Sequence, residues 1–241
     1  MNINFDNQIA LVTGATRGIG KQIADDLLDA GAHVIVTGTS KKTLDLISDD
    51  FEKICVDFLD LNSVDNFIKF ISQQKIDICI NNAGINKINS LHEISMYDWD
   101  TINKVNLTMP FKILQTVSKN MVKQKYGRII NVSSIWGTIG KEKRVCYSSS
   151  KFGLMGLTTS SAAELAQHNV LVNCISPGFT LTDLTRKILG IEEMQNISKT
   201  IPMKRMASPS EISKVVIFMS SRQNSYISGQ NIIVDGGFTN V

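Results

Sequence analysis

Three residues with proton-handling side chains recur at a suggestive spacing: Ser134, then Tyr147 after twelve intervening residues, then Lys151 after three more. On a helix a Tyr and a Lys four apart share one face, where a cation beside a phenol makes it easier to ionise. Such a phenol, with an unperturbed pKa of about 10, becomes a usable proton donor for carbonyl chemistry. Near the amino terminus the run Thr13-Gly14-Ala15-Thr16-Arg17-Gly18-Ile19-Gly20 follows an apolar stretch. A glycine-rich turn that opens a helix after a strand is a site for a dinucleotide pyrophosphate, because free helix N–H groups face the anion and glycine lets the backbone approach. Together the two features point to hydride transfer.

The glycine spacing, GxxxGxG, departs from the commoner GxGxxG, so the assignment rests on context, a strand before and a helix after. An NAD-binding unit places a carboxylate at the end of its second strand to take the ribose hydroxyls. Here that stretch reads Val36-Thr37-Gly38-Thr39-Ser40-Lys41-Lys42 and carries none. Arg17, with Ser40 and Lys41, could instead meet a 2′-phosphate through charge-assisted hydrogen bonds, which favours NADP(H) and leaves NAD(H) as the alternative. Asn81-Asn82-Ala83-Gly84 follows the fourth apolar run, and Asn106 falls in a helical stretch. A buried Asn can equally serve only to satisfy backbone groups.

The elements that must position these residues are legible as short β-rich runs: 9–12, 32–37, 53–56, 76–80, 128–132, 170–175 and 231–234. Seven such runs separated by helix-length segments predict an α/β fold, one doubly wound parallel sheet of about seven strands with helices on both faces. Ile19, Ile23, Ala24, Leu27 and Leu28 lie at helical spacing over 18–30 and stop at Gly31, the first helix of a βαβ unit. With no linker, low-complexity tract or repeat, residues 1–241 are expected to form a single dinucleotide-binding and catalytic domain, in which the long mixed segment 178–205 forms a lid over the substrate crevice.

Composition narrows the function classes. The 241 residues carry a net charge of +3 with the basic residues spread along the chain, unlike the concentrated footprint of a nucleic-acid binder. No apolar run reaches membrane-spanning length and the stretch from Met1 to Asn7 has no leader-like pattern, so a soluble cytoplasmic protein is expected. Cys55, Cys79, Cys146 and Cys174 are far apart, without a CxxC, and read as buried free thiols. His33, His92 and His168 are dispersed with no ligand spacing, so no catalytic metal is expected.

Thr13-Gly14-x3-Gly18-Ile19-Gly20, Asn81-Asn82-Ala83-Gly84, Asn106, Ser134, Tyr147-x3-Lys151, Pro177-Gly178 and Val234-Asp235-Gly236-Gly237 stand in order at family spacing. Over essentially its whole length the chain resembles the short-chain dehydrogenase/reductase family, and within it 3-oxoacyl-ACP reductase-like members. That resemblance implies a Rossmann-like domain with strand order 3-2-1-4-5-6-7, a homotetramer, and a tetrad of Asn106, Ser134, Tyr147 and Lys151. Tyr147 would be the general acid in reduction, Ser134 would hold the carbonyl, Lys151 would bind the nicotinamide ribose and lower the Tyr147 pKa, and Asn106 would anchor a water for proton relay. Cofactor contacts would come from Gly14, Thr16, Arg17, Gly18, Ile19, Gly20, Thr39, Asp57 near adenine, Asn82, Ala83, Gly84, Tyr147, Lys151, and Pro177, Gly178, Thr180 and Thr182 on the nicotinamide side.

The resemblance implies reduction of a 3-oxoacyl thioester. Relatives of this kind dock acyl carrier protein through basic residues whose counterparts here are Lys125 and His168, the second departing from the usual arginine. Between Ser134 and Tyr147 the run Lys141-Glu142-Lys143-Arg144 replaces small polar residues, and could receive an anionic substrate or be a solvated turn. An NADP-dependent dehydrogenase of a sugar, polyol or nucleotide-linked sugar is the alternative. A cofactor-binding regulatory protein without turnover is a third reading, against which the complete tetrad argues.

Overall fold

The computed structural model describes residues 3–241, the side chains of Leu184 and Ile188 excepted; Met1 and Asn2, part of the amino-terminal stretch read above, lie outside the described residues. Seven strands, β1 (Ile9–Val12), β2 (His33–Gly38), β3 (Glu52–Cys55), β4 (Ile78–Asn81), β5 (Gly127–Val132), β6 (Val170–Pro177) and β7 (Asn231–Val234), form one sheet in the order β3-β2-β1-β4-β5-β6-β7. Every pairing is parallel. The predicted runs therefore appear with ends shifted by up to two residues. β6 continues to Pro177, because its last residues pair with β7 as far as Pro177 opposite Val234.

Alternation along each strand builds two cores. Ala10 and Val12 of β1, Val34 and Val36 of β2, and Ile78 and Ile80 of β4 face one side with α1 (Gly18–Asp29) and α9 (Pro209–Ser220). Leu11, Ile35 and Cys79, one residue out of phase, face the other with α3 (Leu61–Gln73), α5 (Met109–Gln124) and α6 (Val145–Leu165). Both sheet faces are thus dry, as an all-parallel sheet requires. α9 opens with a capping box in which Ser208 and Glu211 satisfy each other's backbone N–H, with Pro209 at its start.

Smaller elements complete the chain: α2 (Lys41–Leu44), α4 (Met96–Asn103), α7 (Asp183–Ile188) and α8 (Ile191–Thr200). The 178–205 segment therefore contains two short helices. The helical stretch expected around Asn106 is interrupted: residues Lys104–Thr108 form a π turn between α4 and α5, where Met109 N–H reaches back to Lys104 O. Such widened turns bend a helix and gather at functional sites. Three cysteines are buried, but Cys55 is exposed, correcting the expectation for that thiol, because it ends the edge strand β3. Among the described residues no helix is long and apolar enough to cross a membrane.

Candidate active site

Strand order reverses between β1 and β4, and the loops leaving the carboxyl ends of these neighbouring strands face the crevice where open α/β sheets bind ligands. The loop after β1 supplies one wall. Gly14 (φ +66°) and Gly18 (φ +60°) adopt left-handed backbone, and a Cβ on Gly14 would stand 2.9 Å from the Cα of Ala83. Only glycine lets this turn close against the loop after β4. Arg17, in extended backbone, precedes α1 without a side-chain cap, so the first-turn N–H groups of α1 face the loop's concave side. Its own side chain is exposed and makes no hydrogen bond or ion pair among the described residues.

Asn82 fastens the two loops together. Its Nδ2 donates to Thr13 O (2.9 Å) and Gly14 O (3.0 Å), while the N–H groups of Asn82 and Ala83 each donate to Thr13 Oγ1 at 3.0 Å. The Asn82 amide is therefore occupied in shaping the glycine loop. Thr13, 1% exposed, is the hub of this clamp; in the sequence it shows only as the first residue of the glycine motif, with no role of its own.

At the end of β2, Thr37 receives Gly14 N–H on its hydroxyl (3.2 Å) and Ala15 N–H on its carbonyl (3.0 Å), so the second strand also braces the turn. Thr39 is exposed beyond it, and Thr16 packs against Gly38. Asp57, exposed after β3, accepts Leu59 N–H on Oδ1 at 2.9 Å and turns the chain toward α3. Gly178 is pressed against Asp235, and Thr180 is 7% exposed with its hydroxyl on Gly178 O at 3.1 Å. Thr182 caps α7 and packs over Gly18. A cleft of about 200 Å³ opens there, lined by Gly18, Lys21, Leu181 and Thr182 among others.

The second wall comes from β5 and α6. Ser134, 8% exposed, leaves β5 in extended backbone and caps the short turn Ile135–Gly137 by accepting Trp136 N–H at 3.2 Å. Ser133 anchors α6 by donating to Lys151 O at 3.1 Å. Tyr147 and Lys151 lie one turn apart on α6, with the ammonium 5.6 Å from the phenol ring centroid. Burial raises the Tyr147 pKa, and the Ser134 hydroxyl and then the Arg144 guanidinium act in the opposite sense.

Lys151 is tied to the end of β5. It is 3% exposed, its Nζ donates to Val132 O at 2.7 Å, and burial pulls its pKa from 10.5 to about 8. Arg144 acts on the phenol in the sense that favours phenolate. The Lys151 ammonium lies against the ring face while the carbonyl at the end of β5 draws it toward the sheet.

Asn106 is fully buried, with Nδ2 donating to Ile85 O (2.9 Å) and Ser150 Oγ (3.0 Å) and Oδ1 accepting Ile85 N–H (2.8 Å). Ser150 Oγ in turn donates to Tyr147 O at 2.7 Å. The Asn106 side chain therefore ties the loop after Gly84 to the helix bearing Tyr147, and Ser150, which sequence reading did not mark, is the link. Behind it Asn81 Nδ2 donates to Asn131 Oδ1 and Asn131 Nδ2 to Thr158 Oγ1, each at 2.9 Å, so buried polar groups bind β4, β5 and α6 into one unit. On the open side Trp136, Phe179 and Phe238 meet edge to face with centroids 5.3–6.0 Å apart, joining the Ser134 turn, the loop after β6 and the carboxyl-terminal turn.

These observations fit a dinucleotide cofactor: a glycine turn that a Cβ would obstruct, an uncapped helix start, and an unpaired arginine beside them. The model of the family described as enoyl-(acyl carrier protein) reductase matches residues 14–239. The 3-oxoacyl-[acyl-carrier-protein] reductase FabG of Aquifex aeolicus (strain VF5) is 40% identical over 98% of this chain and 99% of its own. Among solved structures, the gluconate 5-dehydrogenase of Burkholderia cenocepacia J2315 in complex with NADP and tartrate superposes with a TM-score of 0.90, at 27% identity over 100% of this chain and 98% of its own. A short-chain type dehydrogenase/reductase from Mycobacterium marinum superposes at 0.89, with 29% identity over 98% and 97% of the two chains. The family model spans nearly the whole chain, the relatives match it from end to end and the fold superposes on theirs, so the chain belongs to the short-chain dehydrogenase/reductase family.

Proposed function

We propose that this enzyme is an NADP-dependent oxidoreductase that reduces the ketone of a 3-oxoacyl thioester to the alcohol. The observation that carries the reading is the convergence of Ser134 and Tyr147 at the crevice beside the glycine turn, in a chain 40% identical over 98% of its length to a 3-oxoacyl-[acyl-carrier-protein] reductase. When bound, the nicotinamide cofactor supplies the hydride. Tyr147 Oη donates the proton to the carbonyl oxygen, which Ser134 holds by a hydrogen bond. Lys151 holds the nicotinamide ribose, and its charge together with that of Arg144 stabilises the phenolate left after transfer.

Gly14, Thr16, Gly18, Ile19 and Gly20 cradle the pyrophosphate, and Ala83 and Gly84 offer backbone on the opposite wall. Asp57 takes the adenine, while Pro177, Gly178, Thr180 and Thr182 border the nicotinamide. Arg17, with Ser40 and Lys41, receives the 2′-phosphate, which favours NADPH over NADH, and Thr39 adds a cofactor contact beside them. Asn106 acts through its grip on Ile85 and Ser150, positioning α6. The whole chain acts as one catalytic domain with 178–205 as its lid, and the protein works in the cytoplasm as a homotetramer. Exposed Phe111 on α5 and Phe152 on α6, 45% and 46% accessible, support assembly through those helices. Lys125 and His168, brought together where Asn169 Nδ2 donates to Lys125 O at 3.1 Å, support docking of acyl carrier protein.

A sugar or polyol substrate is the second reading, favoured by the similarity to a gluconate 5-dehydrogenase. The experiment follows NADPH and NADH oxidation with acetoacetyl thioesters, simple ketones and keto-sugars, in the native protein and in Arg17→Ala. The reading expects thioester reduction with NADPH preferred, and a preference reduced about tenfold or more by Arg17→Ala, as loss of a charged hydrogen bond implies. Turnover confined to keto-sugars, or equal use of the two cofactors by the native protein, would count against it.

A further inference from the structure

The basic run before Tyr147 resolves into unlike residues. Lys141, Glu142 and Lys143 are exposed, and Lys143 sits in left-handed backbone (φ 60°) with its carbonyl accepting Asn89 N–H at 3.3 Å. Arg144 is half-buried. It stands three residues before Tyr147, one turn away, and Ser148 N–H donates to its carbonyl at 2.7 Å. A guanidinium offers five N–H donors, yet among the described residues this one makes no hydrogen bond, ion pair or ring contact.

The acid of the neighbouring α4 is already committed: Asp98 accepts both Lys87 Nζ contacts, at 2.9 and 2.8 Å, together with Asn89 Nδ2 at 3.3 Å, and its own N–H donates to Ser95 Oγ at 3.1 Å. Glu142, two residues away, is exposed and makes no ion pair with Arg144 among the described residues. Lys151, the other cation at Tyr147, spends a donor on Val132 O. Arg144 has spent none of its five donors. Burial lowers its pKa from the ordinary guanidinium value while the Tyr147 phenol acts to raise it, so the two groups lie within reach of each other's field.

We propose that Arg144 is a substrate-binding residue that receives a carboxylate carried close to the ketone, extending the enzyme's substrates from thioesters to free oxo acids. A half-buried, unpaired guanidinium is unfavourable until an anion arrives, and a carboxylate matches its fork with two parallel hydrogen bonds. Hydride from the reduced cofactor and a proton from Tyr147 add across the ketone C=O, the cofactor is oxidised, and the carboxylate passes through unchanged. The inference rests on the assignment of Tyr147 as proton donor.

Acetoacetate and ethyl acetoacetate share the same ketone and differ in the carboxylate, so the ratio of their kcat/KM values reads the anion contact alone. Any effect of Arg144 on phenol ionisation, cofactor binding or folding acts on both and cancels. With NADPH, the native enzyme is expected to favour acetoacetate, and Arg144→Gln to lower the ratio by about tenfold or more, chiefly through KM. Arg144→Lys should recover part of it, since an ammonium keeps the charge and loses the fork. A ratio unchanged within about twofold in Arg144→Gln overturns the inference. So does a native enzyme that reduces the ester and acetoacetyl thioester but not acetoacetate, a result that leaves the thioester function intact. Failure on all three compounds overturns both.

Discussion

Replacing Lys151 with Met should abolish turnover and yet make the folded protein more stable at neutral pH. Lys151 is 3% exposed, and burial pulls its pKa from 10.5 to about 8. The folded chain thus binds this proton more weakly than the unfolded chain. Linkage then makes the destabilisation full below pH 8, shrinking as pH rises toward 10.5, and absent above it. At pH 7 it amounts to about 3 kcal/mol, at about 1.4 kcal/mol per tenfold change in acidity. Against this, Met cannot donate to Val132 O, which now receives Nζ at 2.7 Å, and an unpaired buried carbonyl costs about 1–2 kcal/mol.

The net expectation is a gain of about 1–2 kcal/mol at pH 7 that reverses to a loss of similar size near pH 10.5. Urea unfolding of both proteins at several pH values measures it, at one protein concentration because subunit association shifts apparent stability. Every other titrating group is common to the two proteins and drops out of the difference. A variant no more stable than the parent at pH 7, or a difference that stays constant with pH, would refute the reasoning. The stabilised, inactive variant would show that the buried ammonium is kept for the site at the expense of the fold.

Tyr147→Phe should lower kcat by about 10² to 10⁴-fold while the NADPH dissociation constant, measured by fluorescence titration, stays nearly constant; turnover close to the parent's would remove Tyr147 from the proton-donor role. Thr13→Val keeps the side-chain shape and deletes the acceptor for the Asn82 and Ala83 N–H groups, each at 3.0 Å. It should destabilise the protein by about 2–3 kcal/mol and weaken cofactor binding, since the glycine turn is held by that clamp. A melting temperature and cofactor affinity equal to the parent's would mean the clamp is dispensable.

Features governed by neighbours in sequence were legible from the sequence. The seven strands follow from short β-rich runs, and their alternation already separates Val34 and Val36 from Ile35. Tyr147 and Lys151 share a helix face because four residues make about one turn. Gly14 and Gly18 mark a turn that needs left-handed backbone. The missing carboxylate after β2 and the arginine in the glycine loop likewise speak through local composition alone.

Features joining distant segments required the packed chain. Only when the sheet places β4 beside β1 does the Asn82 amide meet Thr13 and Gly14 across almost seventy residues of sequence. Only the π turn aims the Asn106 amide at Ile85 and Ser150. The cations at Tyr147 belong to this class too: helical spacing nominates Lys151, and packing ties its ammonium to the carbonyl at the end of β5 and adds Arg144 to the surroundings of the phenol. Phe238 meets Trp136 and Phe179 only because β7 pairs with β6 and brings the carboxyl-terminal turn over the crevice. Residue type and spacing set what each group can do. Which partner saturates it is decided by strand order and packing, because hydrogen bonds and charges act over a few ångströms in space, whatever their separation along the chain.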